Sequence, residues 1–285
     1  MALLYVVATP IGNLGDLSPR MAEALSACDL IAAEDTRVTM KLLNHLGIQK
    51  PMVSCHRHNE QARSRELADR MLREDLTVAV TCDAGTPGIS DPGTVLVRTA
   101  RECGIPVVPI AGPSAVATVL SVAGFDAGEF AFYGFLPREK KPLREKLQRI
   151  LETGIPVAVV YESPHRVLAL AEEMAEAWPG ARLCVACDLT KRFERILTGA
   201  APEIARELKA LPNLEKGEYC LAADLREVGR PERQQSAPMP AEAAIFLNML
   251  SGMDLDEAAG TVENVPRNEL YRAKLRVRAF LESEE

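Results

Sequence analysis

The sequence has few aromatic residues, no long apolar run and no excess of positive charge. Aromatic residues make up only 5% of its 285 residues, and the formal net charge is −7. A nucleic acid would therefore have to bind a local basic patch. No apolar run approaches the roughly 18 residues of a membrane span, so we expect no span. The first apolar run ends at Pro10 and has no basic segment before it, so we expect no signal peptide. The seven cysteines are scattered and odd in number, which is typical of reduced thiols in a cytoplasmic protein.

Two common phosphate-binding motifs are missing as well. The segment ATPIGNLGD, at residues 8–16, contains neither G-x-G-x-x-G nor the Lys-Ser/Thr pair of a P-loop. A Rossmann dinucleotide site and a Walker-type NTPase are therefore both disfavoured. A loop stiffened by proline at the end of a strand is still compatible with the wall of a ligand site.

Short strand patterns alternate with helix patterns along most of the chain. The runs LLYVVA, LIAAE and TVAVT are typical of buried strands, and helix signals follow them. This alternation predicts an α/β fold with a mostly parallel sheet. From changes in composition we predict an α/β domain at 1–112, a second α/β domain at 113–226, a linker at 227–240 and a helical region at 241–285.

The segment CDAGTPGISDPG leaves the end of a predicted strand and is rich in glycine, proline and aspartate. Gly85, Gly88 and Gly93 permit positive φ angles and a close approach of the backbone to a ligand. Asp91-Pro92 has the pattern of a helix start, whose N–H groups would receive a carboxylate or a phosphate. A surface turn needs only one or two such residues, so we predict a ligand-binding loop here.

Charged side chains follow two further strands. The segment AEDTR places Glu34, Asp35 and Arg37 at the end of the second strand, either as a helix-capping cluster or as the edge of an active site. The segment YESPHR places His165 and Arg166 at another strand end, where the Ser-Pro pair is also a helix-start signal. Both interpretations stay open, because ligand sites also lie at strand ends.

Two arrangements typical of metal or redox sites are present but incomplete. His56 and His58 lie near Cys55, but no second group of ligands accompanies them. Cys184 and Cys187 form a lone C-x-x-C within a strand pattern, where residues three apart point to opposite faces. We therefore expect no metal site and no thioredoxin-like chemistry.

Two segments supply local positive charge. GFLPREKKPLREK contains five cations, among them Arg138, and is either a solvated linker or a phosphate-contacting loop. VPRNELYRAKLRVR, at residues 265–278, also contains five cations, with one tyrosine. It is either a solvated helix face or a helix that contacts the backbone of RNA.

The chain resembles the tetrapyrrole methylase superfamily, the class III S-adenosylmethionine methyltransferases, and within it the members that methylate ribosomal RNA. The matching stretches are TPIGNLGD, AEDTR, CDAGTPGISDPG, GIPVVPIAGPSA, GFLPR, YESPHR, LTKRFE and KGEYCLAAD. They follow the family's order over nearly the whole chain, and DAGTPGISDPG together with YESPHR is the most specific part. Where the family is expected to have Arg-Glu before LTK, this chain has Cys187-Asp188.

The resemblance implies the class III methyltransferase fold, with a cofactor cleft between two α/β domains and a small C-terminal helical region. It also implies S-adenosylmethionine as the cofactor, 2′-O-methylation of a cytidine in 16S rRNA of the small ribosomal subunit, and a cytoplasmic homodimer. Carried over by position, the cofactor-lining residues are Pro10, Asp83, Thr86, Ile89, Ser114, Ala115, Tyr161 and Ala222. The candidates for a base are Glu34, Asp35 and Lys191. The expected contacts to RNA phosphates are Arg37, Arg138, His165 and Arg166.

Three alternatives stay open. The first is a methylase of a tetrapyrrole or another small acceptor on the same fold. The second is a nucleotide hydrolase that holds magnesium with Glu34 and Asp35, which would need further clustered acids on a helix. The third is an RNA-binding protein that binds the cofactor without chemistry.

Overall fold

The computed structural model describes residues 2–229, 239–262 and 265–282. The chain divides into two compact units, Met1–Gly229 and Arg230–Glu285. The strands are β1 (Leu3–Val7), β2 (Leu30–Ala33), β3 (Met52–Ser54), β4 (Thr77–Thr81), β5 (Val107–Ile110), β6 (Phe130–Phe135), β7 (Val157–Glu162), β8 (Arg182–Cys187), β9 (Arg195–Ala200) and β10 (Tyr219–Asp224). The helices are α1 (Pro19–Ala27), α2 (Thr36–Leu46), α3 (Glu60–Glu74), α4 (Thr94–Glu102), α5 (Ala115–Ala123), α6 (Lys140–Glu152), α7 (Val167–Ala177), α8 (Ala201–Ala210), α9 (Ala241–Leu250), α10 (Leu255–Gly260) and α11 (Arg267–Glu282).

The first sheet has the order β3-β2-β4-β1-β5, and all its neighbouring strands are parallel. One face packs on α1 and α2, and the other packs on α3 and α4. Because both faces are covered, its strands are nearly continuous apolar runs, and all four residues of β2 are buried. The predicted parallel sheet is confirmed for this part of the chain.

The second sheet has the order β6-β7-β10-β8-β9. Only β6 and β7 are parallel, and the other neighbours are antiparallel. The prediction of a mostly parallel sheet is therefore wrong here. The connection from Cys187 to Arg195 is too short for a crossover, so β8 and β9 must pair as antiparallel neighbours. Helices α6, α7 and α8 cover one face of this sheet, and α5 covers the other.

Two predicted helix starts lie too early in the chain. α1 does begin at its predicted cap, where the Ser18 side chain accepts the N–H of Met21. In contrast, Asp91-Pro92 and Ser163-Pro164 belong to turns, and their helices begin at Thr94 and Val167. A serine or aspartate followed by proline also favours a turn, and that alternative holds at both junctions.

The second unit contains the helices of the C-terminal region. As predicted, this region is helical, and its described residues form the helices α9, α10 and α11. They share a small apolar cluster centred on Ile245, Ala258, Ala273 and Val277. The predicted linker at 227–240 falls mostly on residues 230–238, which lie outside the described residues. No described helix has both the length and the apolar character needed to cross a membrane.

Candidate active site

Three loops meet at the carboxyl edge of the first sheet, where ligands bind in open α/β sheets. Thr9, after β1, exchanges two backbone hydrogen bonds with Gly85, after β4, at 2.8 and 3.0 Å. The Thr9 hydroxyl also donates to the carbonyl of Cys82 at 3.1 Å. The Thr86 hydroxyl donates to the carbonyl of Pro113, after β5, at 3.2 Å. These bonds hold the loops after β1, β4 and β5 together as one surface.

The loop after β4 has the backbone conformation that its glycines predict. Gly85 and Gly88 have φ angles of 83°, and Gly93 has a φ of 128°. Ser90 is also left-handed, with a φ of 68°, and its carbonyl accepts a hydrogen bond from Arg57 at 3.0 Å. A positive φ is not strained at glycine, but it is at Ser90, which the hydrogen bond from Arg57 helps to hold. Left-handed residues other than glycine cluster at ligand-binding sites.

A cavity of about 310 Å³ opens between the two sheets of the first unit. Its walls are mostly apolar, with a few polar groups, which is the usual make-up of a small-molecule site. The lining residues on the side of the first sheet are Ile11, Ala84, Gly85, Thr86, Ile89, Asp91, Ser114 and Ala115. Those on the side of the second sheet are Phe135, Tyr161, Glu162, Ser163, Pro164, Leu189, Gly217, Glu218, Tyr219 and Cys220.

Carboxylates gather at one end of the cavity. Burial raises the pKa of Asp91 to about 6, and the like charges of Glu34 and Asp83 add to that shift. Burial also raises the pKa of Glu34 and that of Asp83. Asp35 differs, because a hydrogen bond from the Arg37 side chain lowers its pKa to about 2. Among the described residues, no three acidic, His or Cys side chains are grouped as metal ligands.

These acids are also joined through the backbone. Glu34 Oε2 accepts the N–H of Asp83 at 3.2 Å, and Asp83 Oδ1 accepts the N–H of Asp35 at 3.1 Å. Asp35 in turn accepts the N–H of Arg37 at 2.8 Å as the N-cap of α2. The capping interpretation of AEDTR is therefore confirmed for Asp35. The hydrogen bonds between Glu34, Asp83 and Asp35 hold the ends of β2 and β4 side by side.

Lys191 lies on the opposite side of the cavity in an ion-pair network. Its Nζ is 3.0 Å from Asp188 Oδ1 and 3.0 Å from Glu218 Oε2. Burial lowers the pKa of Lys191, but hydrogen bonds to the two carboxylates outweigh burial and raise it. The aliphatic stem of Lys191 lies against Gly12, where a Cβ would overlap it. Lys191 thus joins the loop after β1 to the second sheet as a permanent cation.

The Arg166 side chain contacts other residues of the protein rather than extending into solvent. Its Nη2 lies 3.1 Å from Glu162 Oε2, an ionic contact without hydrogen-bond alignment, and donates to the Pro137 carbonyl at 2.9 Å. In contrast, Arg138 and His165 are exposed. The Arg37 side chain is 87% exposed, although it contacts Asp35. The structure therefore places the predicted RNA contacts on the surface, except for the half-buried Arg166.

The structure brings five of the eight predicted cofactor residues to the cavity wall. The five lining residues are Thr86, Ile89, Ser114, Ala115 and Tyr161. The other three lie next to lining residues. Pro10 precedes Ile11 and Asp83 precedes Ala84, while Ala222 packs in the apolar cluster that contains Ile11 and Cys220.

Several lining residues do not follow from the sequence reasoning. Phe135, Glu162 and the segment 217–220 belong to stretches that carry the family resemblance, but their motifs predict no role for them. The sequence pattern around Asp91 indicates only a helix start. A signal for its place in the site does exist, because the loop that carries it follows the end of a strand, where ligands bind in open α/β sheets.

The sequence of this chain is similar to those of known methyltransferases. Residues 3–205 match the family of tetrapyrrole (corrin/porphyrin) methylases. A protein of Neisseria meningitidis serogroup B, named ribosomal RNA small subunit methyltransferase I, is 43% identical over 82% of this chain and 81% of its own length. Proteins of the same name from Escherichia coli O157:H7 and Synechocystis are 40% and 37% identical. They match 95% and 98% of this chain, and 94% and 99% of their own lengths.

Solved structures agree on the fold. A diphthine synthase superimposes with a TM-score of 0.59 over 80% of this chain and 91% of its own, at 13% identity. The methyltransferase CobJ superimposes with a TM-score of 0.58 over 81% of this chain and 98% of its own, at 16% identity. The predicted class III methyltransferase fold is confirmed, and so is the resemblance seen in the motifs. By fold and by sequence, this chain belongs to the tetrapyrrole methylase family.

Proposed function

We propose that this chain transfers a methyl group from S-adenosylmethionine to the 2′-oxygen of a cytidine in 16S rRNA of the small ribosomal subunit. The observation that carries the proposal is the cavity at the carboxyl edge of the first sheet, in a chain with near full-length relatives of that name. The rRNA and the small subunit follow the relatives' printed name. The cytidine and its 2′-oxygen follow the motif resemblance, which also supports a cytoplasmic homodimer. The domains proposed at 1–112 and 113–226 follow the changes in composition along the chain.

The cavity fits the proposed cofactor in size and charge. About 310 Å³ lies within the range of small-ligand sites. S-adenosylmethionine carries a positive sulfonium and a positive ammonium beside flat and apolar parts. Asp91 on the cavity wall, with Glu34 and Asp83 behind it, supplies negative charge to match. Positive φ at Gly85 lets the backbone approach the ligand, and a side chain there would be strained.

The proposed roles of the lining residues follow from their chemistry. S-adenosylmethionine supplies a methyl group already activated on a positively charged sulfur, so alignment of the reactants is the main task of the protein. Good alignment can account for about 7–11 kcal/mol of the barrier. Thr86, Ser114 and Tyr161 offer hydroxyl groups that orient the cofactor, and Ile89 and Ala115 offer apolar walls. Pro10, Asp83 and Ala222 stay proposed as neighbours of the pocket.

The three candidate bases differ in how well they can accept a proton. A ribose hydroxyl is a weak acid, and a base near it adds about 10²–10⁴-fold to the rate. Lys191 is the weakest candidate, because its raised pKa keeps it protonated. Asp35 is held ionised by Arg37 and is a poor proton acceptor. Glu34 is the strongest of the three, since burial raises its pKa.

Methyl transfer from tritiated S-adenosylmethionine tests the proposal. The acceptors are small ribosomal subunits and naked 16S rRNA from cells that lack this protein, with a tetrapyrrole as the competing acceptor. We expect transfer to ribosomal RNA only, and mass spectrometry should map it to one cytidine ribose. Transfer to the tetrapyrrole alone would favour the small-molecule methylase, and cofactor binding without any transfer would favour a non-catalytic RNA-binding protein.

A further inference from the structure

An irregularity in strand β6 sets the direction of one aromatic side chain, that of Phe135. β6 runs parallel to β7, and Phe132 pairs with Val159. The register then shifts, so that Phe135 pairs with Tyr161. The chain thus advances three residues along β6 for two along β7, which is a β-bulge. Gly134 lies within this bulge and has a φ of 62°, which favours glycine.

The bulge moves Phe135 to the face of the sheet that borders the cavity. Side chains alternate between faces along a strand. In a regular ladder Gly134 would pair with Tyr161, and Phe135 would pair with Glu162 on the face that α6 and α7 cover. With the bulge, Phe135 shares a face with Phe132 and Tyr161. β-Bulges next to active sites commonly re-aim a side chain in this way.

Phe135 lines the cavity, yet much of its surface is open to solvent. Its ring centroid lies 5.8 Å from that of Tyr161, with the ring planes at 62°. The Tyr161 ring also contacts the Phe132 ring, with a centroid distance of 4.8 Å and the ring planes at 64°. Even so, 62% of Phe135 stays exposed. The protein therefore supports this ring from one side without burying it.

The surroundings of Phe135 suit an unstacked nucleotide. Ile89, 43% exposed, and Pro164 also line the cavity and extend its apolar wall. Arg138 follows three residues after Phe135, His165 follows Pro164 directly, and both are exposed. Single-stranded RNA is recognised by stacking of bases on aromatic rings, with cations on the phosphates. The loops after β6 and β7 offer both features beside one cavity.

We propose that Phe135 stacks on the base of the nucleotide whose ribose receives the methyl group, and holds it unstacked at the mouth of the cavity. This inference rests on the proposed function. Every base has a π-face, so stacking adds affinity and orientation without selecting cytidine. Loss of the aromatic ring should therefore weaken capture of the RNA and leave binding of the cofactor unchanged.

The test compares Phe135→Ala, Phe135→Leu and Phe135→Tyr with the wild-type chain. Loss of the stacking on one base typically lowers affinity by about 5- to 150-fold. We expect kcat/KM for small ribosomal subunits to fall by about that factor in the Ala and Leu variants, and to recover in the Tyr variant. The affinity for S-adenosylmethionine, measured by calorimetry, should not change. Phe130→Ala is the matched control, since Phe130 lies on the same strand, is 46% exposed and is not among the lining residues.

Other outcomes would overturn the inference in distinct ways. A Leu variant as active as wild type would show that an apolar contact suffices. Weaker cofactor binding would place the ring against the cofactor, and a changed oligomeric state would place it between two copies of the chain. If wild-type protein methylates no RNA, the proposed function fails, and this inference fails with it. If wild-type protein methylates RNA and all Phe135 variants match it, only this inference fails.

Discussion

The side chain of Glu60 caps helix α4 although it belongs to helix α3. Its Oε1 accepts the backbone N–H of Gly93 at 2.7 Å and that of Val95 at 2.9 Å. Glu60 is only 7% exposed, so these charge-assisted bonds are shielded from water. A negative charge at a helix N-terminus is also favoured by the helix dipole. Glu60 thus supplies the cap that the sequence suggested for Asp91, and it fixes the end of the loop after β4.

Removal of this carboxylate should destabilise the first unit. We expect Glu60→Ala to lower the free energy of unfolding by about 1–3 kcal/mol, because two N–H groups lose their acceptor. Glu60→Gln keeps an acceptor and should lose less. Glu66→Ala is a matched control on the same helix, because the Glu66 side chain is 62% exposed in a surface ion pair with Arg63, worth at most about 1 kcal/mol. Urea denaturation measures all three, and an equal loss for Glu60 and Glu66 would contradict the capping role.

Ionisation of Asp91 should change the stability of the fold and the affinity for the cofactor in opposite directions. Its pKa is about 6 in the folded chain and 3.8 in its ordinary state. Between these values the folded chain binds more protons than the unfolded chain, so stability falls as pH rises from about 4 to 6. Cofactor affinity should instead rise as pH rises through about 6, because the ionised carboxylate attracts the cationic cofactor.

Asp91→Asn separates the two effects. At pH 7.5 this variant should melt at a higher temperature than wild type, and the difference should vanish near pH 4. Its affinity for S-adenosylmethionine at pH 7.5 should be lower, and it should no longer change around pH 6. Thermal melts and calorimetry at several pH values check both expectations. A variant that melts at a lower temperature at pH 7.5 would show that the charge is stabilised rather than strained.

Lys191 should act as a fixed cation and not as a base. Its raised pKa predicts that Lys191 keeps its proton between pH 6 and 9. The wild-type pH–rate profile should therefore have no rising limb that is lost in Lys191→Gln. The same variant should weaken cofactor binding, because Lys191 packs against Gly12 and holds Glu218 in place in the cavity wall. Single-turnover methyl transfer across this pH range makes the comparison. A limb near neutral pH that disappears in the variant would restore Lys191 as the base.

Local patterns predicted most strands and the loop that carries the site, but not the contacts that cross between elements. The apolar runs of β1, β2 and β4 predict buried strands directly. The glycines of the loop after β4 predict its positive φ angles. The Glu60 cap joins residues 33 positions apart. Nothing in the sequence around Glu60 distinguishes it from the other acids of α3, because only tertiary packing buries it.

The strand β6 shows a second limit of pattern reading. Its sequence, FAFYGF, is apolar throughout and has no alternation that would reveal a face. The glycine within it weakens the strand signal further. The bulge at Gly134 depends on the register with β7, and register is a property of two paired strands rather than of one. For this reason Phe135 could be assigned to the cavity only from the structure.

The C-terminal helices should contribute to RNA binding and not to cofactor binding. All residues that line the cavity lie before residue 225, within the unit Met1–Gly229. On α11, Lys274 contacts Asp256 and Arg276 contacts Glu242, whereas Arg267, Arg272 and Arg278 are exposed and have no ion pair with the described residues. Within the part of the chain that the structure describes, three of the five cations of this helix are therefore free of a competing carboxylate.

Truncation after Gly229 tests this assignment with two measurements on one protein. S-adenosylmethionine affinity should stay nearly intact, while RNA affinity should fall and become less sensitive to salt. In a plot of log affinity against log salt concentration, each phosphate contact contributes about 0.7–0.9 to the steepness of the slope. Loss of three contacts should therefore make this slope shallower by about 2–3. If these helices instead stabilise the first unit or complete a dimer, truncation should lower the melting temperature and the cofactor affinity together. That joint loss, with an unchanged salt slope, would argue against RNA contact by α11.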